Sequence, residues 1–264
     1  MADTAVRGTA VAHPLLLRRL LVARQEQRAV ELADDERPRS LDEAYATAAA
    51  LLDALGLEPN GAKVGANGAT GQRLLGLTEP LWGHTLAGLC WKVSAELDAG
   101  DAALGAEAEW IFTLGRDLDG AAAQDPAAVE AAIAQIALGI EITRPSYIDP
   151  MREGGLAIIA DNGVHAGLVI GDALSPQHLA ELRDRRMWLA VDDEARRHGS
   201  ASQAGVDPLA ALLWLAADRA RRGVPLRRGH RIATGALLTC RDLPRGHTVR
   251  AGIEGGAECT LVRL

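Results

Sequence analysis

Glu107 and Glu109 stand two residues apart in the segment Gly105-Ala106-Glu107-Ala108-Glu109-Trp110-Ile111-Phe112. In an extended strand side chains alternate, so the two carboxylates share one face while Ala108, Trp110, Phe112 and Leu114 take the other. Carboxylates that point the same way repel unless a cation, a proton or solvent relieves them. The pair therefore marks either a hard-metal site or a wet sheet face. Glu141 bears on that choice, because Ile140 and Ile142 flank it at the end of an apolar stretch expected to be helical. A buried Glu without a partner costs several kcal/mol or stays protonated. A divalent ion shared with Glu107 and Glu109 would remove that penalty, and three carboxylates with water favour Mg2+ or Mn2+ over zinc, which prefers His and Cys.

Other chemistry-bearing types are less organised. Lys63 is by itself either a solvated strand-end lysine or a proton carrier. His84, His165, His198, His230 and His247 are scattered without a metal-ligand spacing and are expected to be surface or structural. Of these, His84, beside Trp82-Gly83, is kept as a candidate catalytic residue. Gly65, Gly68 and Gly71 are spaced unlike a dinucleotide loop, so a flexible loop is expected there. Ser200 lacks the setting of a nucleophile elbow, which excludes a serine hydrolase.

These residues need a scaffold, and the periodicities predict an α+β chain whose second portion is mostly sheet. Helices are expected over 13–32, from Ser40 to Gly56, and over 126–138 and 208–222. Ser40 with Glu43 forms a capping box, and the Asp125-Pro126 and Asp207-Pro208 pairs each read as a cap followed by proline at the first helical position. Strands are expected over 107–114, 155–160, 166–170, 186–191, 230–235, 248–253 and 258–263. With 264 residues, 48% apolar and 24% charged, the chain is long enough to bury its own core. A net charge of −7 without a basic stripe excludes nucleic acid as the expected partner. Three cysteines without a C-x-x-C pair fit a reducing cytoplasm, where they are expected as buried small hydrophobes. No stretch is apolar enough for a membrane span and no secretory leader is legible, so no membrane partner is expected.

The ordered set of short motifs is more specific than any one of them. Lys63-Val64-Gly65, Gln72-Arg73-Leu74-Leu75-Gly76-Leu77, Pro80-Leu81-Trp82-Gly83, Glu107-Ala108-Glu109 and Ile140-Glu141-Ile142 are followed by Ala160-Asp161-Asn162, Pro208-Leu209, Trp214-Leu215-Ala216 and Thr234-Gly235-Ala236. This series resembles the 2-hydroxypenta-2,4-dienoate hydratases and 4-oxalocrotonate decarboxylases of the fumarylacetoacetate hydrolase superfamily over about residues 40–264. The resemblance implies a helical N-terminal region, 1–75, before a catalytic mixed-sheet β-roll, 76–264. It further implies a homo-oligomer and Glu107, Glu109 and Glu141 as ligands of a divalent metal that chelates a small 2-oxo acid. Lys63 is then placed near the substrate, with Leu81, Arg144, Asp161, Asn162 and Thr234 as substrate-binding positions. The implied activity is a lyase working through a metal-stabilised enolate on a 2-oxo or 2-hydroxy-dienoic acid. Decarboxylation, isomerisation or cyclisation are alternatives, as is a non-catalytic binding protein. Leu81 and Arg144 stand where the family has Asp, and Asn67-Gly68 where it has Thr-Ser, so part of the acid/base equipment of a hydratase is replaced.

Overall fold

The computed structural model describes residues 11–100 and 102–264. Helix α1 (Pro14–Gln25) begins where His13 Nδ1 accepts the Leu16 N–H and Pro14 supplies a preset φ. It stops well short of the expected residue 32, and Gln27 follows with a left-handed φ of 51°. Helix α2 (Leu41–Ala54) is capped by Ser40 Oγ on the Glu43 N–H, while the Glu43 carboxylate reaches past Ser40 to the Arg39 N–H. Gly56, at φ 65°, ends it.

Thirteen strands are found among the described residues: β1 (Gly61–Gly65), β2 (Leu81–Gly83), β3 (Cys90–Lys92), β4 (Ser94–Leu97), β5 (Gly105–Leu114), β6 (Ile133–Thr143), β7 (His165–Leu174), β8 (Met187–Val191), β9 (Arg197–Gly199), β10 (Arg231–Ala233), β11 (Leu238–Cys240), β12 (Thr248–Ile253) and β13 (Glu258–Arg263). The larger sheet runs β2-β1-β10-β5-β6-β7-β3, with β11 pairing to the N-terminal part of β5. It is mixed, since β1 with β10 and β3 with β7 are parallel and the other pairs antiparallel. The smaller sheet runs β4-β13-β12-β8-β9. Trp110, Phe112, Ile136, Leu138 and Ile140 meet Leu189, Val249 and Leu261 in one apolar core between the sheets. A second core gathers Leu16 and Leu20 of α1, Leu51 of α2 and Ile159. The expected α+β class with a mixed sheet is the observed one, and β1 lies inside the stretch read as mainly helical.

Two expectations are corrected. The helix read over 126–138 is only α4 (Pro126–Glu130) beyond α3 (Ala69–Leu75), and the chain then enters β6. Ile136, Leu138, Ile140 and Ile142 alternate into the inter-sheet core, and β6 is paired on both sides, so burial and ladder bonds override the helical bias of its alanines. Glu141 is consequently a strand residue. The strand read over 155–160 is helix α6 (Gly155–Ala160), entered from α5 (Pro150–Glu153) through Gly154 at φ 82°. A short, wholly apolar run suits a buried helix as well as a strand, and here Ala157, Ile158 and Ile159 pack in the core shared with α1 and α2. Helices α7 (Ala201–Ala204) and α8 (Pro208–Arg221) complete the set, the second capped by Asp207 on the Ala210 N–H. The three cysteines are free, Cys240 and Cys259 buried and Cys90 half-buried. No helix among the described residues is long and apolar enough to cross a membrane.

Candidate metal centre

The register of β5 against β6 sets Glu107 opposite Glu141 and Glu109 opposite Gly139. All three carboxylates therefore project from one face of the larger sheet, opposite to the face carrying Trp110 and Phe112. Gly139 permits the close approach there, because a Cβ would lie 2.5 Å from Ile111 Cγ1 and 2.8 Å from the Val169 carbonyl oxygen. One oxygen from each of Glu107, Glu109 and Glu141 lies within 4.8 Å of the others. A single hard cation that bonds oxygens at about 2.0–2.6 Å spans such a spacing. Glu109 and Glu141 are fully buried, and Glu109 Oε1 and Glu141 Oε2 have no hydrogen-bond partner among the described residues. Unsatisfied anionic oxygens inside a protein are costly, so this donor set fits a divalent cation chemically.

Neighbouring groups hold the remaining oxygens. The Gly235 N–H donates to Glu109 Oε2 at 2.7 Å. Lys63 Nζ stands 3.3 Å from Glu141 Oε1, and His165 Nδ1 is 2.9 Å from the same oxygen. Burial alone would lower the Lys63 pKa, but the charges of Glu141, Glu107 and Glu109 outweigh it and hold the ammonium protonated. Burial pushes Glu107 up to about 7 in spite of Lys63. Burial, reinforced by Glu141 and Glu107, lifts Glu109 well above the usual carboxylate range. For Glu141 burial works in the same direction, yet Lys63 and the His165 hydrogen bond prevail and keep it below its ordinary value.

A cavity of about 520 Å3 opens onto Lys63 and Glu107, walled by Leu81, Gly235, Arg241 and residues 65–71. Those residues run from the end of β1 through the Gly68 cap into α3, so that Gly71 is helical where a flexible loop was expected. Of the expected site residues, Lys63, Leu81 and the glutamates come together here. The Thr234 hydroxyl instead donates to the Trp110 carbonyl, while its own carbonyl accepts from Asn67 Nδ2 at 2.6 Å. Asn67 thus braces the turn that delivers the Gly235 N–H, and Gly235, at φ 107°, leaves the room that a Cβ would take from Asn67. Asp161 is occupied by Arg24 at 2.7 Å and by Ser146, and Asn162 clamps the backbone of His84 through its amide oxygen and nitrogen. Arg144 lines a different cavity. His84 stands off the carboxylate cluster, 3.5 Å from Arg219, and burial and then that guanidinium push its pKa down to about 3. His165, expected to be surface or structural, is a buried partner of Glu141. No sequence spacing signals that contact, since it arises from the β6–β7 pairing.

The family model described as fumarylacetoacetate (FAA) hydrolase C-terminal matches residues 88–262. The TodF product hydratase of Pseudomonas putida is 32% identical over 190 residues, covering 67% of this chain and 66% of that protein. The 2-keto-4-pentenoate hydratase of Paraburkholderia xenovorans is 30% identical over 231 residues, 82% of this chain and 81% of that one. Among solved structures, 4-oxalocrotonate decarboxylase from Pseudomonas putida G7, complexed with magnesium and adipate, superposes with a TM-score of 0.82 at 18% identity, over 97% of this chain and all of that chain (100%). Fumarylpyruvate hydrolase from Pseudomonas aeruginosa, in complex with Mn2+ and pyruvate, aligns with a TM-score of 0.57 at 18% identity, over 77% of this chain and 88% of that one.

Proposed function

The chain belongs to the fumarylacetoacetate hydrolase family, on the scaffold of metal-dependent hydratases and decarboxylases, and from that premise we propose that it is a lyase acting on a small 2-oxo or 2-hydroxy-dienoic acid. The observation that carries this is the cluster of Glu107, Glu109 and Glu141, with two buried oxygens left unpartnered, beside Lys63 at the floor of a cavity. Those glutamates would hold Mg2+ or Mn2+. When bound, the cation supplies a Lewis acid for the carboxylate and 2-oxygen of the acid, which acidifies the C3 protons. Lys63, kept charged by its carboxylate neighbours, stabilises negative charge developing on the substrate and donates a proton to it. His165 fixes the orientation of Glu141 from behind. Leu74, Leu75, Leu81, Met151 and Ile158 give the cavity apolar walls, which suit a short hydrocarbon tail and exclude water from the reacting carbons.

Leu81 favours a second outcome of the same chemistry. Without a carboxylate there, water is poorly oriented for addition, and loss of carbon dioxide or movement of the double bond competes with hydration. A cytoplasmic homo-oligomer completes the reading. The test is absorbance decay of 2-hydroxypenta-2,4-dienoate and deuterium exchange at C3 of 2-oxopentanoate, each with Mg2+, Mn2+ or EDTA. Cation-dependent exchange with slow loss of the dienoate is the expected result. Absence of both activities with either cation would overturn the assignment.

A further inference from the structure

A second cavity, of about 310 Å3, lies beneath α1 and α2 and is separated from the first by the segment 162–166. Gly163 and Val164 of that segment face the carboxylate cavity, while Asn162, His165 and Ala166 line the other. Seven leucines, among them Leu52, Leu55 and Leu89, make its wall predominantly apolar. Two guanidiniums enter it. Arg24 is neutralised by Asp161 at 2.7 Å. Arg144 is not: its backbone N–H bonds the Val164 carbonyl, but no hydrogen bond or ion pair of its guanidinium is found among the described residues. Asp161 attracts it only at a distance, since the oxygens of that carboxylate are taken by Arg24 and Ser146.

A half-buried guanidinium without a counter-ion is an unfavourable arrangement, and Arg24 worsens it by repulsion. Burial and that repulsion draw the Arg144 pKa down to about 10. The cavity also holds a second unsatisfied group. His165 lines it with Nε2 buried and unpartnered, while Nδ1 faces Glu141. The carboxylate that also lines the cavity, Asp98, is exposed and takes the Gly100 N–H, so Arg144 is the positive anchor. A guanidinium in a leucine-lined space is complementary to an amphiphilic anion. We propose that this cavity is a binding site for a monocarboxylate with an unbranched apolar tail, its carboxylate paired with Arg144 and its tail laid along the leucines. The site is distinct from the one that holds Lys63 and does not depend on the lyase assignment.

Calorimetry in EDTA tests it with octanoate as the probe, because EDTA removes any cation that would bind a carboxylate in the first cavity. Acetate carries the charge alone and octanol the chain alone. Wild type is expected to bind one octanoate per chain, at least about tenfold more tightly than either fragment. Arg144→Gln should weaken octanoate by about tenfold or more, whereas Arg144→Lys should retain part of the affinity. Leu89→Trp, which fills the tail space and leaves Arg144 in place, should weaken it comparably and decides the matter if Arg144→Gln does not fold. No saturable octanoate binding by wild type would overturn the proposal. So would unchanged affinity in Arg144→Gln or Leu89→Trp, as that would place the ligand elsewhere, including beside Lys63.

Discussion

Replacing Lys63 with Met removes the positive charge nearest to Glu141 while keeping much of the side-chain volume. At 3.3 Å and an effective dielectric constant of about 20, one pair of unit charges attracts by about 5 kcal/mol. Part of this offsets the desolvation of both groups. The measurable loss is that of leaving a buried carboxylate uncompensated, about 3–5 kcal/mol. Lys63→Met should therefore lower the Tm of the cation-free protein by about 10 °C. Saturating Mn2+ should recover most of that difference, because the ion supplies the positive charge that the lysine no longer does. Deuterium exchange at C3 of a 2-oxo acid should still fall by about 10²-fold or more, since the ion replaces the charge of Lys63 but not its proton. Differential scanning fluorimetry in EDTA and in Mn2+, with exchange followed by NMR, provides the readout. A variant as stable as wild type in EDTA, or one destabilised alike in EDTA and Mn2+, would refute the charge balance drawn for this site.

Two further outcomes follow from the same geometry. Leu81→Asp should raise hydration of 2-hydroxypenta-2,4-dienoate at saturating Mg2+, with general acid/base assistance setting a range of roughly 10²–10⁴-fold. Fast hydration by wild type would show that no carboxylate is needed at position 81. In EDTA the stability of wild type relative to a Glu107→Gln, Glu109→Gln variant should decline as pH rises from about 4.5 towards 7. Glu107 titrates near 7 when folded and Glu109 is also raised well above its ordinary value, so the unfolded chain sheds these protons first, while the depressed His84 and His230 act alike in both proteins. With cation bound the deprotonated carboxylates are the favoured form, and the decline should vanish or reverse. Urea melts at a series of pH values, with and without Mn2+, check both signs.

The two strongest signals in the sequence were local ones. Glu107 and Glu109 alternate with Ala108, Trp110 and Phe112, so their shared face was readable before any pairing was known. Helix starts at Ser40, Asp125 and Asp207 were readable for the same reason, since a cap acts on the next turn of its own chain. Glu141 was recognised as buried among isoleucines, yet the segment was read as a helix. The Pro126 start is real, and only β5 and β7 on either side decide that residues 133–143 extend. The apolar run 155–160 had no period of its own, so its packing beneath α1 and α2 made it a helix. His165, Asn67 and the Gly235 N–H reach the carboxylates through contacts between distant strands and turns, and no spacing in the sequence encodes those. Asp161, Asn162 and Thr234 matched family positions, but their side chains hold backbone and ion-pair partners away from the cavity.

Cation binding by the three carboxylates underlies every step assigned to the site, and a Mn2+ titration measures it directly. Calorimetry, with electron paramagnetic resonance of the free ion as a second readout, should find one Mn2+ per chain in wild type. Affinity should fall by about 10²-fold or more in Glu109→Ala, and oxalate should bind tightly only when Mn2+ is present. Equal Mn2+ binding by the two proteins, or none by either, would contradict the metal centre and the lyase chemistry built on it.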